Sequence, residues 1–156
     1  MEDDKQFVSN QPQGTVPMQV GGNKNANNRP IGADGKRDWS FGLLDSFPRC
    51  SLCCQAAWCP CIVYSENRQR LRHLQQQGGP LPGGGEKYDD HCCLYGGMLL
   101  PGYAWVMHMH NRTETRERYG IRGNAHRDCL TALCCCSCAH TQERREIELE
   151  ENSFRK

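Results

Sequence analysis

Cys53-Cys54-Gln55-Ala56-Ala57-Trp58-Cys59-Pro60-Cys61 places four thiols within nine residues, with a proline stiffening the backbone between the last two. Far downstream, Cys129 and Cys134-Cys135-Cys136-Ser137-Cys138 hold five more of the 12 cysteines. Soft thiolates attract soft metals, so the chemistry legible in this chain is first the chemistry of sulfur. The two blocks are loosely alike, although no internal repeat is convincing.

Outward from these blocks, composition limits what else can hold the chain together. The 156 residues fit one domain. Hydrophobic residues amount to 37% even with every cysteine counted, so the apolar core is thin and another stabilising element is expected. A net charge of +1 with no basic stripe excludes general electrostatic binding of nucleic acid, and no nucleic-acid partner is expected. The start, Met1-Glu2-Asp3-Asp4-Lys5, is acidic and lacks an apolar h-region, so no cleavable secretory signal is expected. The thiols are then expected to face a reducing compartment, where cysteine pairs mean metal or reactivity more often than crosslinks.

The fold class read from the chain is mainly α: a small cysteine-rich helical domain with short hydrophobic segments. Residues 1–38 are rich in Asn, Gln, Gly and Pro and are expected to form a disordered tail. The cysteine-rich domain is placed at 39–149, with a flexible Gly/Pro loop at 75–87 and a charged tail at 150–156. Helices are expected over 62–77, which lacks Gly and Pro and meets Gly78 as a stop, and over 112–119, capped by Gly120. A last helix is expected to start near Asn124 or Asp128 and run into the Glu-rich end.

Three stretches carry no formal charge: 52–64, 92–107 and 129–141. A spanning helix needs roughly 20 predominantly apolar residues, and shorter stretches more often form core or interfacial segments. The second stretch is the best candidate for a span, with Tyr103 and Trp105 suited to a lipid interface. A buried helix broken at Pro101 carries equal weight, and peripheral or re-entrant attachment lies between the two.

Tetrahedral zinc takes four Cys or His ligands, usually delivered in close pairs. Cys50 and Cys53 form one C-x-x-C pair, and Cys135 and Cys138 another. On a helix, Cys134 and Cys138 (i,i+4) or Cys135 and Cys138 (i,i+3) project from one face. Set against the loop carrying Cys54, Cys59 and Cys61, that face would complete a shared site, with zinc the expected cofactor. Structural zinc contributes on the order of 10 kcal/mol to small peptides, which rivals a typical domain's whole net stability. His91, His126 and His140 lie beside cysteines as further ligand candidates, whereas His73, His108 and His110 read as surface or core residues. Cys92-Cys93 and Cys136 fit S-acylation better than metal. No phosphate loop, nucleophile elbow or His-Glu zinc protease motif is present, and no base and orienting group mark a nucleophilic cysteine; an enzyme is not expected.

Cys53-Cys54-x-x-x-x-Cys59-Pro60-Cys61 resembles the C-C-x-x-x-x-C-P-C signature of the placenta-specific-eight family, which includes cornifelin and the plant cadmium-resistance and cell-number-regulator proteins. Trp39-Ser40-Phe41-Gly42-Leu43-Leu44-Asp45 resembles the family's opening block. Arg116-x-x-Tyr119-Gly120-Ile121 resembles its basic Arg-Tyr-Gly stretch. Asp128 and Cys134-Cys135-x-x-Cys138-Ala139-x-x-Gln142-Glu143-x-Arg145-Glu146 resemble its closing block. Ser46 and Thr141 stand where relatives often carry Cys, and Ser65 where they often carry Gly. His126 stands at another frequent Cys position and keeps a ligand there. The resemblance implies a membrane-associated protein, at the plasma membrane, that forms homo-oligomers and handles zinc or cadmium in transport or tolerance. With it, the expected metal ligands are Cys53, Cys54, Cys59, Cys61, His126, Cys134, Cys135 and Cys138, and the expected partners are membrane lipid and divalent ions. The alternative is a structural or regulatory adaptor in which zinc only stabilises the fold.

Overall fold

The computed structural model describes residues 22–45 and 49–155. Six α-helices make up the described chain: α1 Cys50–Trp58, α2 Pro60–Gln76, α3 Asp90–Leu99, α4 Ala104–Arg118, α5 Ala125–Cys134 and α6 Cys136–Ser153. Among the described residues, β-pairing is limited to two isolated bridges, Ile31 with Arg37 and Arg37 with Ile121. The mainly α, cysteine-rich character read from the chain is what the structure shows.

Local sequence explains the long helices. Pro60 occupies the first turn of α2, where its missing N–H costs nothing and its fixed φ suits a helix. No Gly or Pro interrupts the chain until Gly78, which adopts φ 66° just past the end. Asp89 caps α3 by accepting from the Cys92 N–H, and Asn124 caps α5 by accepting from the Arg127 N–H.

Cross-helix contacts set the directions. Tyr64 of α2 stacks on Tyr95 of α3 with centroids 4.5 Å apart, and Ala104 at the start of α4 joins the same cluster. Further along, Asn67 of α2 donates to the His140 carbonyl of α6. Arg70 reaches Glu151, and Arg118 of α4 reaches both the Leu74 carbonyl and Glu150. Thus α2, α4 and α6 run parallel, with their starts at one end of the bundle.

The core is small where it is apolar. One cluster holds Leu71, Leu74, Tyr119, Ile121 and Ile147, with Trp39 and Phe154 against it. The other holds Tyr64, Tyr95 and Ala104, with Cys61 and Met107 against it. Between them lies a buried ionic network. Glu146 pairs with Arg37, Asp128 with Arg112 and Arg116, and Glu150 with Arg118 and the Tyr119 hydroxyl. Arg144 pairs with Glu66, and Arg68 with Glu114. These groups supplement the thin core. Buried pairs add little net stability over a well-packed apolar core, but removing one partner leaves the other charge stranded at about 3–5 kcal/mol.

Several boundaries differ from the sequence reading. The last helix is two helices, broken at Cys135 (φ −145°, ψ 64°). Packed chain occurs before residue 39: Arg37 is buried and donates to Ser40 and Glu146. The rest of the expected tail, 1–21, lies outside the described residues. At the other end, α6 continues to Ser153 and buries Glu150. The helix expected at 112–119 starts earlier, at Ala104, because the turn at 100–103 ends α3 there, with Gly102 at φ 76°. That turn divides the candidate span 92–107, and no described helix is long and apolar enough to cross a membrane.

Candidate metal centre

Two helix starts build the centre. Cys136 is the first residue of α6, one position past the break at Cys135, and His140 follows one turn later on the same face. His108 lies one turn into α4, and both imidazoles are fully buried. The ligand atoms of His108, Cys136 and His140 all lie within 4.8 Å of one another. The two imidazoles stack with centroids 3.6 Å apart, and Nδ1 of His108 is 3.6 Å from Sγ of Cys136. The Tyr95 hydroxyl closes one side, 3.5 Å from Sγ of Cys136 and 3.4 Å from Nε2 of His140.

A second tier holds the first in place. Nε2 of His108 faces the Glu143 carboxylate at 3.0 Å, which leaves Nδ1 pointing at the thiol. Asn111 donates to the other Glu143 oxygen at 3.0 Å, and Arg112 stands 3.6 Å from the carboxylate. A carboxylate behind a histidine that faces a ligand site fixes the ring's orientation and raises its basicity.

The electrostatics follow from these neighbours. Burial opposes a charged ring at His108, but the Glu143 carboxylate and the Cys136 sulfur outweigh it and hold that imidazole up at about 9. Burial would also push the Cys136 thiol up, yet its hydrogen bond to His108 and the ring's charge bring it below the usual thiol range. His140 goes the other way: burial, then the charge on His108, push it well below the ordinary imidazole value. Its Nδ1 is buried without a hydrogen-bond partner. The cluster therefore offers one thiol inclined to ionise, one imidazole held by a carboxylate and one imidazole kept neutral. Such a donor set suits a borderline-soft divalent ion, and zinc takes mixed Cys and His ligands.

None of the eight residues expected as ligands belongs to this group of three. Cys53 and Cys54 lie on α1, half-buried and exposed respectively, and Cys59 is the exposed elbow between α1 and α2. Cys61 packs against Tyr64, Tyr95 and Ala104, and its free thiol shares a hydrogen bond with that of Cys92 of α3; burial, then that hydrogen bond, push the Cys92 thiol up to about 12. His126 is exposed near the start of α5, and Cys134 is exposed at its end, about 12 Å away along the helix. Cys135 and Cys138 are joined in a disulfide and in that form offer no thiolate. Cys134 and Cys138 do not share a helix, because the break at Cys135 separates them. His140, set beside the cysteines, was among the further ligand candidates. His108, grouped by its sequence context with the surface or core histidines and not with the ligand candidates, is buried at this cluster, and Cys136, which reads as an acylation site, joins it. The signal that joins them is helical register: His108, Asn111 and Arg112 share one face of α4, and Cys136, His140 and Glu143 share one face of α6.

Residues 39–146 match the PLAC8 family. Cell number regulator 10 of Zea mays is 31% identical over 121 residues, covering 76% of this chain and 71% of the relative. The Arabidopsis thaliana protein PLANT CADMIUM RESISTANCE 2 is 30% identical over 112 residues, covering 71% of this chain and 67% of the relative. No solved structure matches the chain.

Proposed function

The chain belongs to the PLAC8 family, and on that premise we propose that it is a membrane-attached protein that binds and handles soft divalent ions, zinc or cadmium, at His108, Cys136 and His140. The observation that carries this reading is the convergence of a thiol and two imidazoles within 4.8 Å, backed by Glu143. The proton between Cys136 and His108 lies where a cation would lie, so an ion entering the cluster replaces that proton. Tyr95 stands at a fourth position with a neutral hydroxyl. Three protein ligands and one weak one leave a coordination position open, in contrast to closed four-ligand structural sites. One Arabidopsis thaliana relative is named for cadmium resistance, and a site of this type accounts for an effect of that kind.

The test is metal content and affinity of the purified chain. The parent protein is expected to bind zinc and cadmium, with cadmium giving a thiolate charge-transfer band in the ultraviolet. Cys136→Ser and His108→Gln should each weaken binding by roughly 10- to 100-fold or more, and Glu143→Gln by about 10-fold. Full binding in Cys136→Ser, with loss in Cys59→Ser or Cys61→Ser, would overturn the assignment in favour of the first cysteine block. Cells expressing Cys136→Ser should also lose cadmium tolerance. Unchanged tolerance in a chain that folds only with zinc would instead support the adaptor reading.

A second reading rests on the same atoms. Cys136, His108 and Glu143 stand in the order of nucleophile, base and orienting carboxylate. His140 and Tyr95, however, close over the sulfur. Alkylation separates the two readings: zinc should protect Cys136 from iodoacetamide if the site is an ion site.

A further inference from the structure

Residues 50–65, 91–111 and 129–142 contain no Asp, Glu, Lys or Arg. Because α2, α4 and α6 run parallel, the turns that precede them lie at one end of the bundle. Those turns are the elbow at Cys59, the loop 100–103 and the break at Cys135. Nine of the twelve exposed large apolar side chains among the described residues fall in these three stretches. Leu100 and Trp58 are 92% and 87% exposed, so they protrude instead of packing. Leu99 and Tyr103 flank Leu100, and Leu130 and Leu133 face outward on the last turns of α5. The opposite end carries charge, with Arg70–Glu151 and Arg118–Glu150 across it.

We propose that this charge-free end is a lipid-binding surface, seated in one leaflet of a membrane with no helix crossing it. The proposal rests on the membrane attachment in the proposed function and names the surface that provides it. The shape of the end favours lipid over a second copy of the chain. Trp58 protrudes at the first elbow, Leu99, Leu100 and Tyr103 around the loop 100–103, and Leu130 and Leu133 from the end of α5, and a rigid partner would need a separate pocket for each group. A fluid acyl phase conforms to any such shape. Trp58 and Tyr103 are the residue types that settle at the headgroup level, and an apolar surface of this kind sinks about 5–10 Å into a leaflet. With no Lys or Arg in the three stretches, attachment does not depend on anionic lipid or on low salt. The seat also explains why three short apolar stretches occur without a span: each reaches only the near leaflet. It places the ion site just behind the surface, since His108 lies about 6 Å along α4 from its first residue and Cys136 opens α6.

The experiment is flotation of the full chain with phosphatidylcholine vesicles, together with the emission of Trp58. The parent chain should float at both low and high salt. Trp58→Glu combined with Leu100→Glu, two exposed sites that leave the helical circular dichroism unchanged, should reduce partitioning roughly tenfold or more. In a Trp39→Phe, Trp105→Phe background, Trp58 emission should shift to the blue on adding vesicles and be quenched by brominated acyl chains. A parent chain that never floats would sink both the membrane attachment and this surface. Flotation that the glutamates do not change, or Trp58 that stays in water while the chain floats, would remove this surface and leave membrane attachment standing. A blue shift without lipid that tracks dimer formation in sedimentation would assign the surface to a second copy and overturn the proposal.

Discussion

At Cys59 the chain leaves α1 with φ −134° and ψ 68° and enters α2 at the next residue. At Cys135 it leaves α5 with φ −145° and ψ 64° and enters α6 in the same way. The two elbows are 76 residues apart, and the helices after them keep register at that spacing. Pro60 corresponds to Cys136, Tyr64 to His140, Asn67 to Glu143, Leu71 to Ile147 and Leu74 to Glu150. From the Tyr64–His140 pair onward, both members of each pair are buried. A shared backbone break thus fixes which positions face the interior, and side-chain identity at those positions fixes the chemistry. The first elbow fills its inward face with a proline, a tyrosine, a neutral amide and two leucines. The second fills the same face with a thiol, an imidazole, two carboxylates and an isoleucine, and of the two elbows it is the one that gathers a cluster of ligand-type side chains.

The contrast breaks most visibly at Asn67 and Glu143. Glu143→Leu strands His108, Asn111 and Arg112, and is expected to cost about 3–5 kcal/mol in urea denaturation of the metal-free protein. Asn67→Leu leaves the Arg144 guanidinium and the His140 carbonyl each short of one hydrogen bond, and should cost about 1–3 kcal/mol. Equal costs would show that α6 does not carry a distinct ionic load and that the register match is only geometric.

The next effect is a pH dependence. His108 is raised to about 9 in the folded protein, so by itself it stabilises fully below about 6.5 and loses that contribution as pH rises towards about 9. Cys136 is lowered on folding, so its contribution grows as pH rises through its folded value towards the ordinary thiol range. The two signs oppose, because the fold favours the charged imidazole at His108 and the charged thiolate at Cys136. Metal-free protein is therefore expected to lose less stability between pH 6.5 and 9 than the His108 side alone would take away. Cys136→Ala, which keeps only the His108 side of the pair, should decline across that window by on the order of 1–2 kcal/mol. Below 6.5 both should weaken, since His140 stays neutral when folded and takes a proton when unfolded. A level profile in Cys136→Ala would dissolve the thiol–imidazole pair, and with it the difference between the elbows.

The two elbows also show what the chain made legible. Gly78 marks the end of α2, and the absence of Gly and Pro over 62–77 reveals its body, so that helix is readable to within two residues of its start at Pro60. Cys134-Cys135-Cys136 contains neither Gly nor Pro, and nothing local marks the break there; its likeness to Cys59 appears only once both are folded. The run from Glu143 to Glu150 read as a charged end because carboxylates are seldom buried unless paired. Their partners, Arg37, Arg112, Arg118 and His108, stand 31 to 109 residues away, beyond the reach of any local pattern. The thin core was visible in composition. What supplements it was not, because thiols were the conspicuous residues and arginines were not. For the same reason the expected ligand set lies in the cysteine blocks and omits His108, which stands among uncharged residues with no cysteine near it in sequence.

The smallest effect separates the elbows from the ordinary helix entries. Neither α2 nor α6 has a side-chain cap, whereas α3 and α5 are capped by Asp89 and Asn124. Asp89→Ala and Asn124→Ala should each cost about 1 kcal/mol, and Pro60→Ala only a few tenths. Acid should then divide the two caps. Burial pushes the Asp89 carboxyl up, but the Ser65 hydroxyl and the Cys92 N–H prevail and hold it below its ordinary value of 3.8. Its contribution is therefore present above that value and lost as pH falls below it. Asn124 has no proton to gain. The difference in melting temperature between parent and Asp89→Ala should shrink towards zero in acid, while that between parent and Asn124→Ala should persist. Equal persistence in both would mean that Asp89 holds α3 through its Ser65 contact to α2 in either protonation state, and not through its charge at the helix start.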